Sequence, residues 1–256
     1  MPFKIAYGAG HRLVTAGKRF PAARDPAETR EWTVNDRVAR YFAEAAAEYE
    51  GVELLRVDDP EGMAPISVEE RNKAANQWGA DFCLSIHHNS AGKVFSGGGV
   101  VAYVGPGVDS RTKQYQRALY DAVIAATGLK GNRAAPRATA NLAMCNGTVA
   151  PAVLMELGFM DSTADAPIIL TDAFSRYAGY ALMEGVASVA GLTKKKEQEP
   201  LYRVQVGAYR NKANAEAMKA DAGVPLSVLN VDGGAAANPL ERQAAVARHG
   251  HGEEPL

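Results

Sequence analysis

Residues 67–90, "SVEERNKAANQWGADFCLSIHHNS", decide the fold class, because the hydrophobic period changes in the middle of the stretch. Ser67 and Glu70 stand at capping-box spacing and Gly79 closes the first half, so a helix marked at both ends is predicted there. "DFCLSIHH" follows at once as a short apolar run, which reads as a strand. A helix feeding directly into a buried strand is half of a β-α-β unit.

Working outward, the same alternation recurs. Upstream, "FKIAYGA" reads as a buried strand, residues 31–50 carry apolar side chains at helical spacing, and "GVELLRV" reads as a second strand. Downstream come a strand in "GGGVVAYV", an amphipathic helix in "SRTKQYQRALYDAVIAATG", strands in "ANLAMC" and "PAVLMELGF", and a helix in "DAFSRYAGYALMEGVASVAG". The predicted fold is therefore α/β: a single, mostly parallel twisted sheet flanked by helices. In such sheets, functional residues gather at the C-terminal ends of strands.

The pattern stops near Gly191. Residues 191–200 include the charged, proline-closed "LTKKKEQEP" and read as a linker after a first domain of residues 1–190. Beyond it, "LYRVQVGAYRNKANAEAMKADAG" reads as a strand turning into a helix. From about Val224 the composition shifts to Gly, Ala and Pro and reads as loop or disorder, so residues 201–256 are expected to form a small or incomplete C-terminal module.

Composition excludes several function classes. With 28 basic against 29 acidic side chains, the chain has no electrostatic footprint for nucleic acid and no polybasic membrane anchor. No apolar run approaches the ~18 residues of a membrane span, and the start has no signal-peptide pattern. Synthesis in the cytoplasm is expected. Cys83 and Cys145 sit singly in apolar segments and are expected to be free, buried thiols rather than a disulfide or a metal pair.

Three histidines precede residue 200, and each lies where a strand ends: His11 after "YGAG", and His87 with His88 closing "LSIHH". Neighbouring strand residues point to opposite faces, so only one of that pair can share a cleft with Ser85. Hydrogen-bonded core or surface histidines are an equally open reading at this point. In the first helix, a 100° step per residue places Val34, Val38, Phe42, Ala45 and Tyr49 within about 60° of Glu31, so this carboxylate heads the apolar stripe and needs a partner or a cation. Glu28 needs none, because in "DPAE" Asp25 can cap, Pro26 can take the first helical position and Glu28 can close the box. Glu156 ends an otherwise apolar strand; it either pairs with Arg133 or Arg137, or is kept desolvated for proton transfer. Two histidines and a glutamate form a zinc set that leaves one tetrahedral position for water, and a second glutamate can shuttle the proton of an amide or ester hydrolysis.

These residues together resemble a known family. "GH" after the first strand, "EWTVN" opening the helix, "RNKAAN" before "SIHHN", and "PAVLMELGFM" are similar to the zinc-dependent N-acetylmuramoyl-L-alanine amidases of the Amidase_3 type, found in endolysins and autolysins, over about residues 3–190. The resemblance implies that His11, Glu31 and His87 hold Zn2+, that Glu156 is the catalytic acid/base, and that peptidoglycan is the partner. It leaves His88 and Asn89 as candidate substrate contacts and Arg71 as scaffolding. Relatives often continue after the first histidine as G-G-x-D-x-G, whereas this chain reads "GHRLVTAGKRF", so the substrate contacts of that loop are not carried over. A zinc peptidase cutting within the stem peptide shares the ligand chemistry, and a wall-binding protein without catalysis is a rival of another class. The segment after residue 200 resembles the opening of a SPOR repeat, which implies binding to glycan strands. Without a signal peptide, the resemblance implies that the enzyme reaches the cell wall by phage lysis or mother-cell lysis.

Overall fold

A computed structural model describes residues 1–93, 96–131 and 136–196 and, in a second unit, residues 213, 214, 216 and 217. The chain divides into two compact units, Met1–Glu197 and Gln198–Leu256. Within the second unit the four described residues are helical, and the rest of the SPOR-like segment lies outside the described residues.

The first unit runs β1 (Phe3–Ala9), α1 (Glu31–Ala46), β2 (Val52–Arg56), α2 (Val68–Trp78), β3 (Phe82–Asn89), β4 (Val100–Val104), α3 (Ser110–Thr127), β5 (Arg137–Thr139), α4 (Ala143–Asn146), β6 (Ala152–Phe159), α5 (Ala166–Ile169) and α6 (Asp172–Ala190). The strands form one six-stranded sheet in the order β2-β1-β3-β6-β4-β5. Pairing is parallel except between β4 and β6, so the expected α/β sheet is present with one antiparallel seam. From β1 the chain crosses to β2 on one side, and from β2 it returns past β1 to β3 on the other. The carboxyl ends of β1 and β3 therefore flank a topological switch point, where such sheets leave a crevice.

The two faces of the sheet are covered unequally. Ile5 and Tyr7 of β1, Leu84 and Ile86 of β3, and Val153 and Met155 of β6 join the helices α1, α3 and α6 in the main apolar cluster. The alternate residues Ala6, Cys83 and Ala152 meet Val57, Ala75 of α2 and Met144 of α4 in a small second cluster, edged by the partly buried Leu55, Ala74, Ala80 and Ala150. Both cysteines are free and buried, as expected from their apolar settings.

Local chemistry explains where the elements start and stop. In α2, Ser67 Oγ accepts from Glu70 N at 3.1 Å, the Glu70 carboxylate accepts from Ser67 N at 2.7 Å, and Gly79 closes the helix at φ 72°. The expected helical start at Asp25 is corrected: Asp25 accepts from Ala27 N and Thr29 N within a turn, and Glu28 has φ 47° and pairs with Arg19. The Asp25 carboxylate satisfies two backbone donors without a helix, so α1 begins only at Glu31. The strand expected in "ANLAMC" is also corrected. Cys145 N and Asn146 N both turn back to Leu142 O, which makes α4, and the neighbouring strand is β5 instead. Alternating Leu142 and Met144 imitate a strand, but a helical turn is what buries Met144 and Cys145.

Candidate metal centre and active site

At the end of β1, Gly10 N still donates to Ile86 O at 2.8 Å, and a Cβ on Gly10 would clash with the His87 ring. Only glycine permits that approach. His11 then takes φ 64°, a left-handed conformation unusual for a residue with a Cβ, which turns its imidazole beside that of His87. The two rings meet edge to face at 5.0 Å. Arg71 holds the turn from α2, donating to Ala9 O at 2.8 Å and His11 O at 3.4 Å.

Glu31 enters from the first turn of α1 and is 1% exposed. Its Oε1 accepts from Asn35 Nδ2 at 3.4 Å and His88 N at 3.3 Å, and lies 3.3 Å from His87 Nδ1. Its Oε2 is buried with no hydrogen-bond partner, 3.4 Å from His11 Nε2 and 3.7 Å from Lys18 Nζ. Burial by itself would raise this carboxyl, but the hydrogen bond with His87 and the charges of His87, His11 and Lys18 lower its pKa to about 2. Burial lowers His11 to about 4, against the pull of Glu31. At His87 burial also opposes the proton, yet Glu31 and Glu156 outweigh it and the pKa is raised.

One ligand atom from each of His11, Glu31 and His87 lies within 4.8 Å of the other two. Two imidazoles and an ionised carboxylate are a donor set for zinc, and the buried Oε2, which accepts no hydrogen bond, is the kind of atom a cation would satisfy. The residues therefore fit a bound Zn2+. The thiols offer no rival set, since burial raises Cys83 to about 12 and Cys145 to about 11.

Glu156 is the register partner of His87 across β3 and β6, so both side chains stand on the same face. Two residues further along, the register slips: Asn89 pairs with Phe159, and Gly158 absorbs the irregularity at φ 102°. Bulges of this kind re-aim side chains beside functional sites. Glu156 Oε2 is buried without a hydrogen-bond partner, and burial raises its carboxyl to about 7, with His87 pulling the other way. Arg137 is instead 4.0 Å from Asp121, and Arg133 lies outside the described residues.

A cleft of about 260 Å³ opens over the imidazoles, lined among others by His11, Arg12, Arg71, Ser85, His87 and Met144. A larger hollow of about 720 Å³ runs along α2 past Asn72 and Asn76, without any of the three candidate ligands in its wall. Of the two, only the smaller is lined by candidate ligands, His11 and His87.

His88 does not line this cleft, which corrects its expected role as a substrate contact. It is 2% exposed on the opposite face, with Nδ1 2.7 Å from Asn35 Oδ1 and its ring 6.2 Å from that of Phe174. Strand alternation is the reason: if His87 faces the cleft, His88 faces the helices. Asn89 caps its own loop, its Oδ1 accepting from Ser90 N at 2.8 Å. Asn35 was not singled out from the sequence, although at four residues past Glu31 it shares that helix face and the same 100° rule reaches it.

The profile of the Amidase_3 family, N-acetylmuramoyl-L-alanine amidase, matches residues 6–188. The chain is 37% identical over 177 residues to the sporulation-specific N-acetylmuramoyl-L-alanine amidase of Bacillus subtilis (strain 168), covering 68% of this chain and 65% of that one. It is 31% identical over 128 residues to the endolysin of Bacillus phage SPP1, covering 49% and 46%. The chain thus spans less than two thirds of the length of either relative. Among solved structures, the N-acetylmuramoyl-L-alanine amidase from Clostridium difficile 630 superposes with a TM-score of 0.67 at 17% identity, over 74% of this chain and 97% of that one, which is a likeness of fold. The chain belongs to the N-acetylmuramoyl-L-alanine amidase family of the Amidase_3 type.

Proposed function

We propose that this family member is a zinc-dependent hydrolase of peptidoglycan, cleaving the amide between the lactyl group of N-acetylmuramic acid and the L-alanine of the stem peptide. The observation that carries the reading is the convergence of His11, Glu31 and His87 within 4.8 Å, beside a half-buried Glu156 with an enclosed Oε2, whose pKa is raised to about 7. With zinc bound, the site would gain Lewis acidity, which brings the pKa of a water to about 7 and polarises a carbonyl. Glu31 stays ionised at neutral pH and supplies the anionic ligand. Arg71 holds the His11 backbone, and the sheet holds His87, so the two imidazoles are set before substrate arrives.

Glu156 moves the proton. A carboxyl with a pKa near the working pH can take a proton from the attacking water and return it to the leaving amine of alanine. Its unpartnered oxygen leaves it free to do both. Access to the cell wall by lysis of the producing cell, from a mother cell or a phage-infected host, is supported by the names of the sporulation and phage relatives. To the segment 201–256 we assign wall binding; deletion after residue 191 should weaken recovery of the protein with purified cell walls, and unchanged recovery would remove that assignment.

The test is digestion of purified sacculi, with the fragments identified by mass spectrometry. Intact glycan bearing free lactyl carboxylates, together with stem peptides beginning at alanine, is the expected product. Chelator should abolish it and zinc restore it. Cuts within the stem peptide would overturn the amidase reading in favour of a peptidase.

A further inference from the structure

Near its end β3 carries two adjacent histidines that face opposite sides of the sheet, and the mechanism uses only one of them. We propose that His88 is a positioning residue: through Asn35 and its own backbone it orients the Glu31 carboxylate for the metal from the far side of the sheet. The proposal rests on the metal-centre reading above.

The hydrogen bonds leave little choice of arrangement. Asn35 is fully buried, and its Nδ2 donates to Gly10 O at 3.1 Å and to Glu31 Oε1 at 3.4 Å. Both acceptors lack a proton, so a flipped amide would set its oxygen against a carbonyl and a carboxylate. Asn35 Oδ1 must therefore accept, and its partner is His88 Nδ1 at 2.7 Å. That requires His88 to carry its proton on Nδ1. His88 Nε2 is then a bare acceptor, and it is buried with no hydrogen-bond partner.

An unpartnered buried acceptor carries a desolvation cost that a phenylalanine, which would suit the ring of Phe174 equally well, avoids. The donor on Nδ1 is what a phenylalanine cannot supply. It fixes the Asn35 amide, and Asn35 Nδ2 with His88 N directs two donors to Glu31 Oε1. Oε2 receives no hydrogen bond and faces His11 Nε2 at 3.4 Å and Lys18 Nζ at 3.7 Å. The two oxygens of one carboxylate are thus differentiated: Oε1 is held by hydrogen bonds, and Oε2 has only the longer ion-pair contacts with His11 and Lys18, which a bound cation would replace. Partners behind a metal ligand orient it in this way, and their loss usually weakens metal binding by about 10–100-fold.

Two substitutions in the full chain separate orientation from packing. His88→Phe keeps the volume and loses the donor; His88→Asn loses volume, but its amide nitrogen can stand where imidazole Nδ1 stood. Zinc affinity, measured by competition with a chromogenic chelator, should fall about 10–100-fold in His88→Phe and return to within about 3-fold of wild type in His88→Asn. If the role is packing alone, the order reverses: His88→Phe binds zinc as wild type does and His88→Asn is the weaker, which overturns the proposal. Should His88→Phe not fold, 15N NMR of histidine-labelled wild-type protein still decides, because a proton on Nδ1 of His88 is expected and an Nε2–H tautomer overturns it. Wild-type protein that binds no zinc would break the underlying metal reading, whatever the His88 tautomer.

Discussion

The two faces of the sheet divide the work of the molecule. On one face α1, α3 and α6 close over a large apolar cluster; on the other α2 and the four-residue α4 cover a few small residues and leave a cleft. β3 carries the division residue by residue, with Phe82, Leu84, Ile86 and His88 toward the helical layer and Cys83, Ser85 and His87 toward the cleft. The contrast teaches that stability and chemistry are separated by no more than one step along a strand. It also explains why neighbouring histidines stand in different surroundings, His87 at the cleft and His88 buried against Asn35.

The comparison breaks most sharply at His87. His87→Ala should abolish detectable zinc binding and lower turnover of sacculi by more than about 10³-fold, because one of the three proposed ligands is gone and Glu31 loses its hydrogen bond. Zinc retained at wild-type affinity would mean that the cleft face does not hold the metal.

Glu156 comes next. Glu156→Gln should keep zinc while turnover falls about 10²–10⁴-fold, and it should remove the rise in activity through pH 7 expected of a carboxylate that must be ionised to accept a proton. Its stability signature has the opposite sense. The folded pKa of about 7 stands above the ordinary 4.5, so in metal-free protein folding favours the protonated acid. That contribution is complete below about pH 4.5 and is lost as pH rises through about 7. Metal-free Glu156→Gln should therefore melt higher than metal-free wild type at pH 8 and at the same temperature at pH 4. A melting difference independent of pH would sink the burial account of this carboxyl.

On the packed face, Leu84→Ala should cost about 2–5 kcal/mol in urea unfolding, whereas Cys83→Ala, one residue away on the thin face, should cost about 1 kcal/mol. Both side chains are almost fully buried, so equal losses would show that the second cluster carries as much of the fold as the first. The smallest effect is expected at Ser67. Ser67→Ala removes one side of the capping box and should cost about 1 kcal/mol with the cleft unchanged.

Legibility in the sequence followed the range of the interactions involved. The ends of α2 could be read because Ser67, Glu70 and Gly79 act within a turn of one another. The inward aim of Glu31 could be read too, since helical period alone places it on the apolar stripe. Asp25 and Glu28 misled because the same carboxylates that cap helices also close isolated turns; the φ of 47° at Glu28 and its pairing with Arg19 take the chain off the helical path. "ANLAMC" misled because so short a stretch cannot distinguish a strand from the helical turn of α4 when its burial is decided by neighbours. Asn35 was within reach of the period argument, but its link to His88 was not, since 53 residues separate them.

Hydrophobic period and local capping are properties of the chain itself, and by themselves they determined an alternating α/β sheet, the strand ends that carry histidines, and the opposition of His87 to His88. Which face would be left thinly covered, and so which of the two histidines would meet Glu31 and His11, was decided only when the helices packed. Residues 11, 31, 87 and 156 approach one another through the order of the strands in the sheet, and that order is set by burial summed over the whole layer rather than by any segment.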